Sequence, residues 1–443
     1  MAGKTVIIDK DLRPSYYDAF QCLAGGCIHS CCEGWHVSFS KKDYLALKRM
    51  EGSEELNGRM QDGLRRIRKG DLSEMYYGEF ALKDGICPLL REDGLCQLQM
   101  EKGEKALPDV CRGFPRSEVY MPTGYWERAL TPGCEAVLEL LWELPDGVDF
   151  LSDPLPKEKW RQYKLPEDAP LQFFYAEIRS VCIDFLQDRR FPLPERILRM
   201  GIALQELAGG EQDIPGWFAR QAARFEEGAG EGLLDEASQG RTTPMFLSNN
   251  FRVMFGLQSI DREFPAVRQD VLQGLGLEIN QQDQTGKISV EAYCEARDRY
   301  EAQFKDRAFF MENLMVSLFF YMHMPSLASP EDLWKSYVNF CNVYSFLRFM
   351  AVMSCRKGAA GDQKELFRML VHASRALLHS SKRQEALRDD FFDNNSATLA
   401  HMAVLLTRRR GKGSFPNNAL RIVDAPAKTG LNQKHPTARG VLV

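Results

Sequence analysis

A mainly α-helical protein is predicted, in which an amino-terminal cysteine-rich metal-cluster module of loops, short helices and a small hairpin leads into a multi-helix body. Three observations carry this. Eight of the twelve cysteines, Cys22, Cys27, Cys31, Cys32, Cys87, Cys96, Cys111 and Cys134, precede residue 135. The same stretch is dense in turn signals, at Gly25-Gly26, Asp84-Gly85, Asp93-Gly94 and Thr123-Gly124. Beyond residue 150, apolar residues recur at helical spacing through long segments. The organisation predicted is a cysteine module over 1–145, a helical body over 150–407 and a basic tail over 408–443.

Composition limits the function classes. With 44% hydrophobic and 27% charged residues the balance is that of a globular chain rather than a disordered one. A formal charge of -4 gives no reason to expect nucleic acid as a partner. No apolar run approaches the roughly 20 residues that cross a bilayer, so no membrane is expected. The opening, MAGKTVIIDKDLRPSYYDAF, lacks the apolar stretch of a secretory signal, and the cytoplasm is the expected compartment. In a large chain without such a signal, clustered cysteines read as metal ligands rather than as a secreted disulfide scaffold.

Taken in order, Asp43 to Arg68 carries helical spacing and reads as one broken helix or two, and GEFALKDG reads as a short strand or hairpin. LPDGVDFLSDPLPKEKW, rich in Pro and Asp, reads as a linker. Helices are expected near 170–188, 194–208, 215–227, 262–275, 289–323, 330–356, 362–381 and 384–407. Cys182, Cys294, Cys341 and Cys355 fall within such segments and read as core. Aromatic runs such as FFMENLMVSLFFYMHM read first as core and second as the lining of a pocket. The tail sets eight basic residues against the single acid Asp424 and reads as a flexible end.

The cysteine spacing is Cys22-x4-Cys27-x3-Cys31-Cys32, then 54 residues, then Cys87-x8-Cys96-x14-Cys111-x22-Cys134. A soft metal needs several thiolates on one small volume, so near cysteines supply a loop and distant ones close it. Structural zinc usually comes with paired short knuckles, which are absent here. The spacing therefore favours an iron–sulphur cluster, with zinc as the alternative. Neighbours in an extended segment point to opposite sides, so only one of Cys31 and Cys32 is expected to face a given metal. His29 and His36 lie within the first group and could replace a thiolate. Arg112 and Arg116 put positive charge near Cys111, suited to offsetting a thiolate-bound cluster or to gripping a carboxylate.

FQCLAGGCIHSCCEGWHVSF, ICPLLREDGLCQLQMEKGEKALPDVCRGFPRS and LTPGCEAVLELL, in that order, resemble the flagellin lysine N-methylase family and the wider group of zinc- or iron-chelating cysteine-cluster domains. Glu312-Asn313-Leu314 and the following FFYMHMP echo the family's Glu-Asn-Tyr-Leu segment more weakly. The x4 spacing after Cys22 and the Thr-Pro-Gly before Cys134 depart from the group's pattern. The resemblance implies methyl transfer from S-adenosylmethionine to lysine ε-amines of flagellin, in the cytoplasm, by a protein holding a cluster, 4Fe-4S in type. It offers Arg116, Glu312 and Asn313 for the cofactor and Trp35 for a lysine channel; catalytic residues remain unassigned.

A neutral lysine amine is already a nucleophile, so such a transfer asks for in-line positioning and an exit for the proton. The cluster's role stays open between structure, binding of the methyl donor at an open iron, and reductive cleavage, although the C-x3-C-x2-C run of radical enzymes is absent. No strand-Gly-x-Gly-x-x-Gly-helix unit is present either; GLGLEI lacks the third glycine. The rival reading is a non-catalytic metal-binding or redox-sensing protein whose helical body docks a partner.

Overall fold

The computed structural model describes residues 5–34, 37–68, 74–121, 124–165, 170–227, 242–257, 263–280, 285–378, 389, 391–406 and 419–422. Helix dominates, and the strands are few and short. The chain opens with β1 (Thr5–Ile8) and β2 (Lys10–Pro14), then passes the first cysteines in loops and single 3-10 turns. β3 (Ser38–Phe39), α1 (Lys41–Lys48), α2 (Glu54–Gly63), β4 (Leu64–Arg66) and β5 (Gly78–Phe80) follow. Ser40 and Ser53 start the two helices by accepting the amides of Asp43 and Leu56, so of the two expectations, one broken helix or two, the second holds. GEF becomes β5, the central strand of a sheet ordered β3-β5-β4. Phe39, Leu47, Leu56, Phe80, Leu89 and Leu98 bury a small separate core here, against which Cys87 and Cys96 pack.

After α3 (Gln97–Lys102) and α4 (Asp109–Gly113) come the antiparallel strands β6 (Arg116–Tyr120) and β7 (Tyr125–Leu130), with Gly124 of the turn signal immediately before β7. Helix α5 (Glu135–Trp142) starts directly after Cys134. The segment read as a linker is not one. β8 (Phe150–Leu151) pairs with β2, and β9 (Arg161–Lys164) pairs with β1 in register Thr5 to Lys164. β2 is thereby enclosed, parallel to β7 on one side and antiparallel to β8 on the other. Pro and Asp mark its turns, but Arg13, itself held by Asp11 and Asp18, binds it in place through Asp153.

The body comprises α6 (Tyr175–Gln187), α7 (Leu193–Ala208), α8 (Ile214–Glu227), α9 (Thr242–Gly256) and α10 (Phe264–Gly274), the strands β10 (Glu278–Asn280) and β11 (Thr285–Ser289), then α11 (Val290–Gln303), α12 (Phe309–Tyr321), α13 (Pro330–Met353), α14 (Gln363–Leu378) and α15 (Leu399–Leu406). The run expected at 289–323 is two helices, broken by a 3-10 turn at Lys305–Arg307. α9 was not expected, because its buried face carries Asn249 and Asn250, satisfied by Asn342 and Ser345 rather than by solvent. Of the expected 384–407 helix the described part is chiefly α15. Within the tail, Ala419–Ile422 forms β12, paired with β11, which corrects the reading of an unstructured end for those residues; the rest of the tail lies outside the described residues.

α12 and α13 are buried on nearly every face, so the aromatic runs fill the main core. Cys182, Cys341 and Cys355 are buried there as well. Packing is tight where α7 meets α13: a Cβ on Gly201 would lie 2.0 Å from the hydroxyl of fully buried Tyr337. Gly201→Ala is therefore expected to lower stability by about 1–3 kcal/mol through overpacking. Urea midpoints of the two proteins check it, and an unchanged midpoint would mean that the helices separate freely.

Candidate metal centre

All eight amino-terminal cysteines line one cavity of about 310 Å³. Its walls also include Phe20, His29, Leu95, Leu107, Arg112, Phe114, Arg116 and Arg375. Among the described residues, no group of three or more His, Cys, Asp or Glu side chains is drawn together as the ligands of a single ion.

Local backbone explains how the thiols reach this volume. Cys31 and Cys32 stand in a turn, not an extended stretch, so both face the cavity and their side chains hydrogen-bond each other. The amide of Cys87 donates to the carbonyl of Cys32 at 2.9 Å, and Gly34 donates to Gly85 at 2.7 Å, which joins the two cysteine groups across 54 residues of sequence. Leu90 and Cys96 close a second bridge. The Cys22–Cys27 loop packs on the 93–94 turn through glycine against glycine: a Cβ on Gly25 would meet the carbonyl oxygen of Asp93 at 2.6 Å, and Gly94 holds φ +76°. Burial of Glu135 at the start of α5 completes the frame. Its carboxylate accepts the amides of Ile28 and His29 at 2.9 Å each and the Cys27 thiol at 3.4 Å.

Burial governs the ionisation of these thiols. It pushes Cys87 up to about 11 and Cys27 and Cys134 up to about 12, and raises Cys96 and Cys111. Cys31 is the exception. The Cys32 thiol donates to it and holds it down, helped by the charge of Arg375, while Cys32 is pushed up in return. The charges of Cys31, Cys87 and Cys96 act on both Cys32 and Cys111, whereas Cys134 senses Cys31 and Cys22, and Cys27 senses Cys134. Mutually facing neutral thiols of this kind give up protons when a thiophilic metal binds.

One wall residue, Arg375, comes from far along the chain, and a second distant residue, His372, packs on the wall residue His29. Arg375 on α14 is buried, and its guanidinium donates to the carbonyls of Gly133 (2.8 Å), Ser30 (3.2 Å) and His29 (2.6 Å). His372, one turn earlier on the same helix face, sets Nε2 3.2 Å from Nδ1 of His29, with the rings edge to face at 4.9 Å.

The FliB lysine N-methylase C-terminal domain matches residues 179–405, just over half of the chain. This chain belongs to the FliB lysine N-methylase family. It is also 30% identical over 141 residues to the flagellar biosynthetic protein FliU of Salmonella muenchen, which covers 31% of this chain and 79% of that protein. The lysine-N-methylases of Salmonella typhimurium and Salmonella choleraesuis match at the same identity over the same length. The chain spans about a third of those two relatives, 33% of each. No solved structure matches it.

The other residues singled out in this FliB-family chain fall in three places. Arg116 lines the cavity and lies over the Phe20 ring at 4.9 Å; Arg112 lines it too and pairs with Asp109. Glu312 and Asn313 do not line it. Glu312 is buried between Arg189 and Arg196, and Asn313 donates to the carbonyls of Leu141 and Leu144, so both join α12 to its neighbours. Trp35 and His36 lie outside the described residues. Arg375, His372 and Glu135 were missed by sequence reasoning. The available signal was a histidine and an arginine inside the apolar run VHASRALL.

Proposed function

We propose that this FliB-family chain transfers the methyl group of S-adenosylmethionine to lysine ε-amines of flagellin in the cytoplasm, and that its cysteine-lined cavity holds a 4Fe-4S cluster. Family membership supports lysine methylation. The single observation that supports the cluster is the convergence of eight thiols, distant in sequence, on one cavity. A lone tetrahedral zinc at about 2.3 Å from each sulphur asks for sulphurs within about 4 Å of one another, whereas a polynuclear core suits thiolates spread around a larger volume. Cys31, Cys87 and Cys96 line the cavity near enough for their charges to act on Cys111, and these four are the ligands proposed first, with Cys32 beside Cys31. Cys22, Cys27 and Cys134 line the remaining wall, beside Glu135.

When bound, such a cluster supplies a Lewis-acidic or redox-active iron face. The chain's own residues do the rest. Arg112 and Arg116 present cations at the wall to the carboxylate of a methionine-like ligand. In the transfer the sulphur–methyl bond breaks as the nitrogen–methyl bond forms, the thioether leaves, and the methylated ammonium sheds its proton to solvent. Cys22 is exposed at the wall, so solvent reaches this side.

Anaerobically purified protein is expected to contain iron and acid-labile sulphide with a broad visible absorption, and to add methyl mass to flagellin only when S-adenosylmethionine is supplied. Because most of the thiols are protonated until metal displaces the protons, loading should strengthen as pH rises. Zinc without sulphide would overturn the cluster, and no S-adenosylmethionine-dependent mass gain on flagellin would overturn the transfer.

A further inference from the structure

We propose that Arg375 is a positioning residue that fixes two cysteine loops around the cluster and makes the cluster easier to reduce. The inference rests on the cluster reading given under Proposed function. The three carbonyls that Arg375 holds sit beside the cavity cysteines: those of His29 and Ser30 lie between Cys27 and Cys31, and that of Gly133 precedes Cys134. One planar cation thus clamps the end of α14 to both loops at once. A lysine, a point charge without the fork, cannot hold three carbonyls in that way. Glu135 grips the same loop through the amides of Ile28 and His29, so the backbone of residues 28–30 is bound by both a buried carboxylate and a buried guanidinium.

Charge gives the second half of the inference. A cluster bound by thiolates carries net negative charge, and reduction adds one more. Arg375 is itself part of the cavity wall and buried, so its positive charge acts through protein rather than water and favours the reduced state. Arg112 and Arg116 also line the wall but are exposed, and solvent screens them.

The test uses the full chain, purified anaerobically, as wild type, Arg375→Met, Arg375→Lys and the surface control Arg65→Met. Iron and sulphide per chain, the midpoint potential from a mediated titration, and amide hydrogen exchange of peptides covering 27–34 and 131–136 are measured. Arg375→Met should shift the potential to more negative values and speed exchange in both peptides about tenfold, as expected when a local clamp is released. Arg375→Lys should keep a potential closer to wild type yet exchange as fast as the Met variant. Wild-type potential and exchange in both variants would overturn the proposal. If Arg375→Met does not fold, the contrast between potential and exchange in Arg375→Lys decides alone. Wild-type protein without iron would sink the cluster reading and the claim about potential with it. Exchange in the variants would still judge the clamp, and unchanged exchange would refute it.

Discussion

Glu127→Ala is expected to lower the free energy of unfolding by about 3–5 kcal/mol, because it leaves a buried guanidinium without its counter-charge. Glu127 on β7 is fully buried and receives Arg179 at 2.6 Å from α6, and Nδ1 of His323 at 3.1 Å. Arg179 is also buried; it donates to the Met324 carbonyl at 3.0 Å and to the Tyr175 hydroxyl. Burial pushes that hydroxyl up to about 12, so it stays protonated and donates to the carbonyl of His323 at 2.7 Å. Each partner is satisfied by another, which is why removing one is costly. Urea unfolding of Glu127→Ala, Arg179→Met and the double variant measures it. The double variant should be more stable than the two single losses added together predict, and simple additivity would show that the charges do not depend on one another.

Glu312→Ala is expected to cost a similar amount, about 3–5 kcal/mol, while leaving the proposed iron loading and methyl-donor binding, per folded molecule, as they are in the wild type. Glu312 is buried and binds Arg196, itself buried, at 2.6 Å. Its second partner, Arg189, is 42% exposed in its side chain, and solvent weakens that pair. The carboxylate thus locks α12 onto α7. A calorimetric midpoint and a metal assay on the same preparation separate the alternatives: loss of iron at an unchanged midpoint would return Glu312 to the cofactor's surroundings, where its motif had placed it.

Much of the body was legible because apolar periodicity survives wherever a helix keeps one polar face. α7, α8 and α14 appear within a few residues of where their patterns put them. The misses have physical causes. Asn249 and Asn250 face inward and spoil the stripe that would have betrayed α9. The residues from Pro145 to Lys164 carry turn chemistry, and nothing local reveals that their strand partners lie at the very start of the chain. The eight thiols were legible as a set, since their types and clustering signal metal chemistry without regard to fold. Their shared cavity depends on contacts such as Gly25 on Asp93 and Cys87 on Cys32, which no spacing rule supplies. Arg375 was harder still, because an arginine on a helix normally reads as a solvated residue until its burial is known.

Strands β8 and β9 also bear on how the molecule comes apart. Since they stitch the segment after α5 back onto the first fourteen residues, a single backbone cut between Asp153 and Trp160 would not liberate the front portion. β8 would stay with the front piece, and the two pieces, joined by the β1–β9 ladder and by the Glu127–Arg179 seam, would travel together through a sizing column and separate only in denaturant. A tool that trims the front portion away would, for the same reason, strip the body of Glu127 and of the surface that covers Arg179, so that a shortened gene would yield an insoluble remnant rather than a free-standing helical domain.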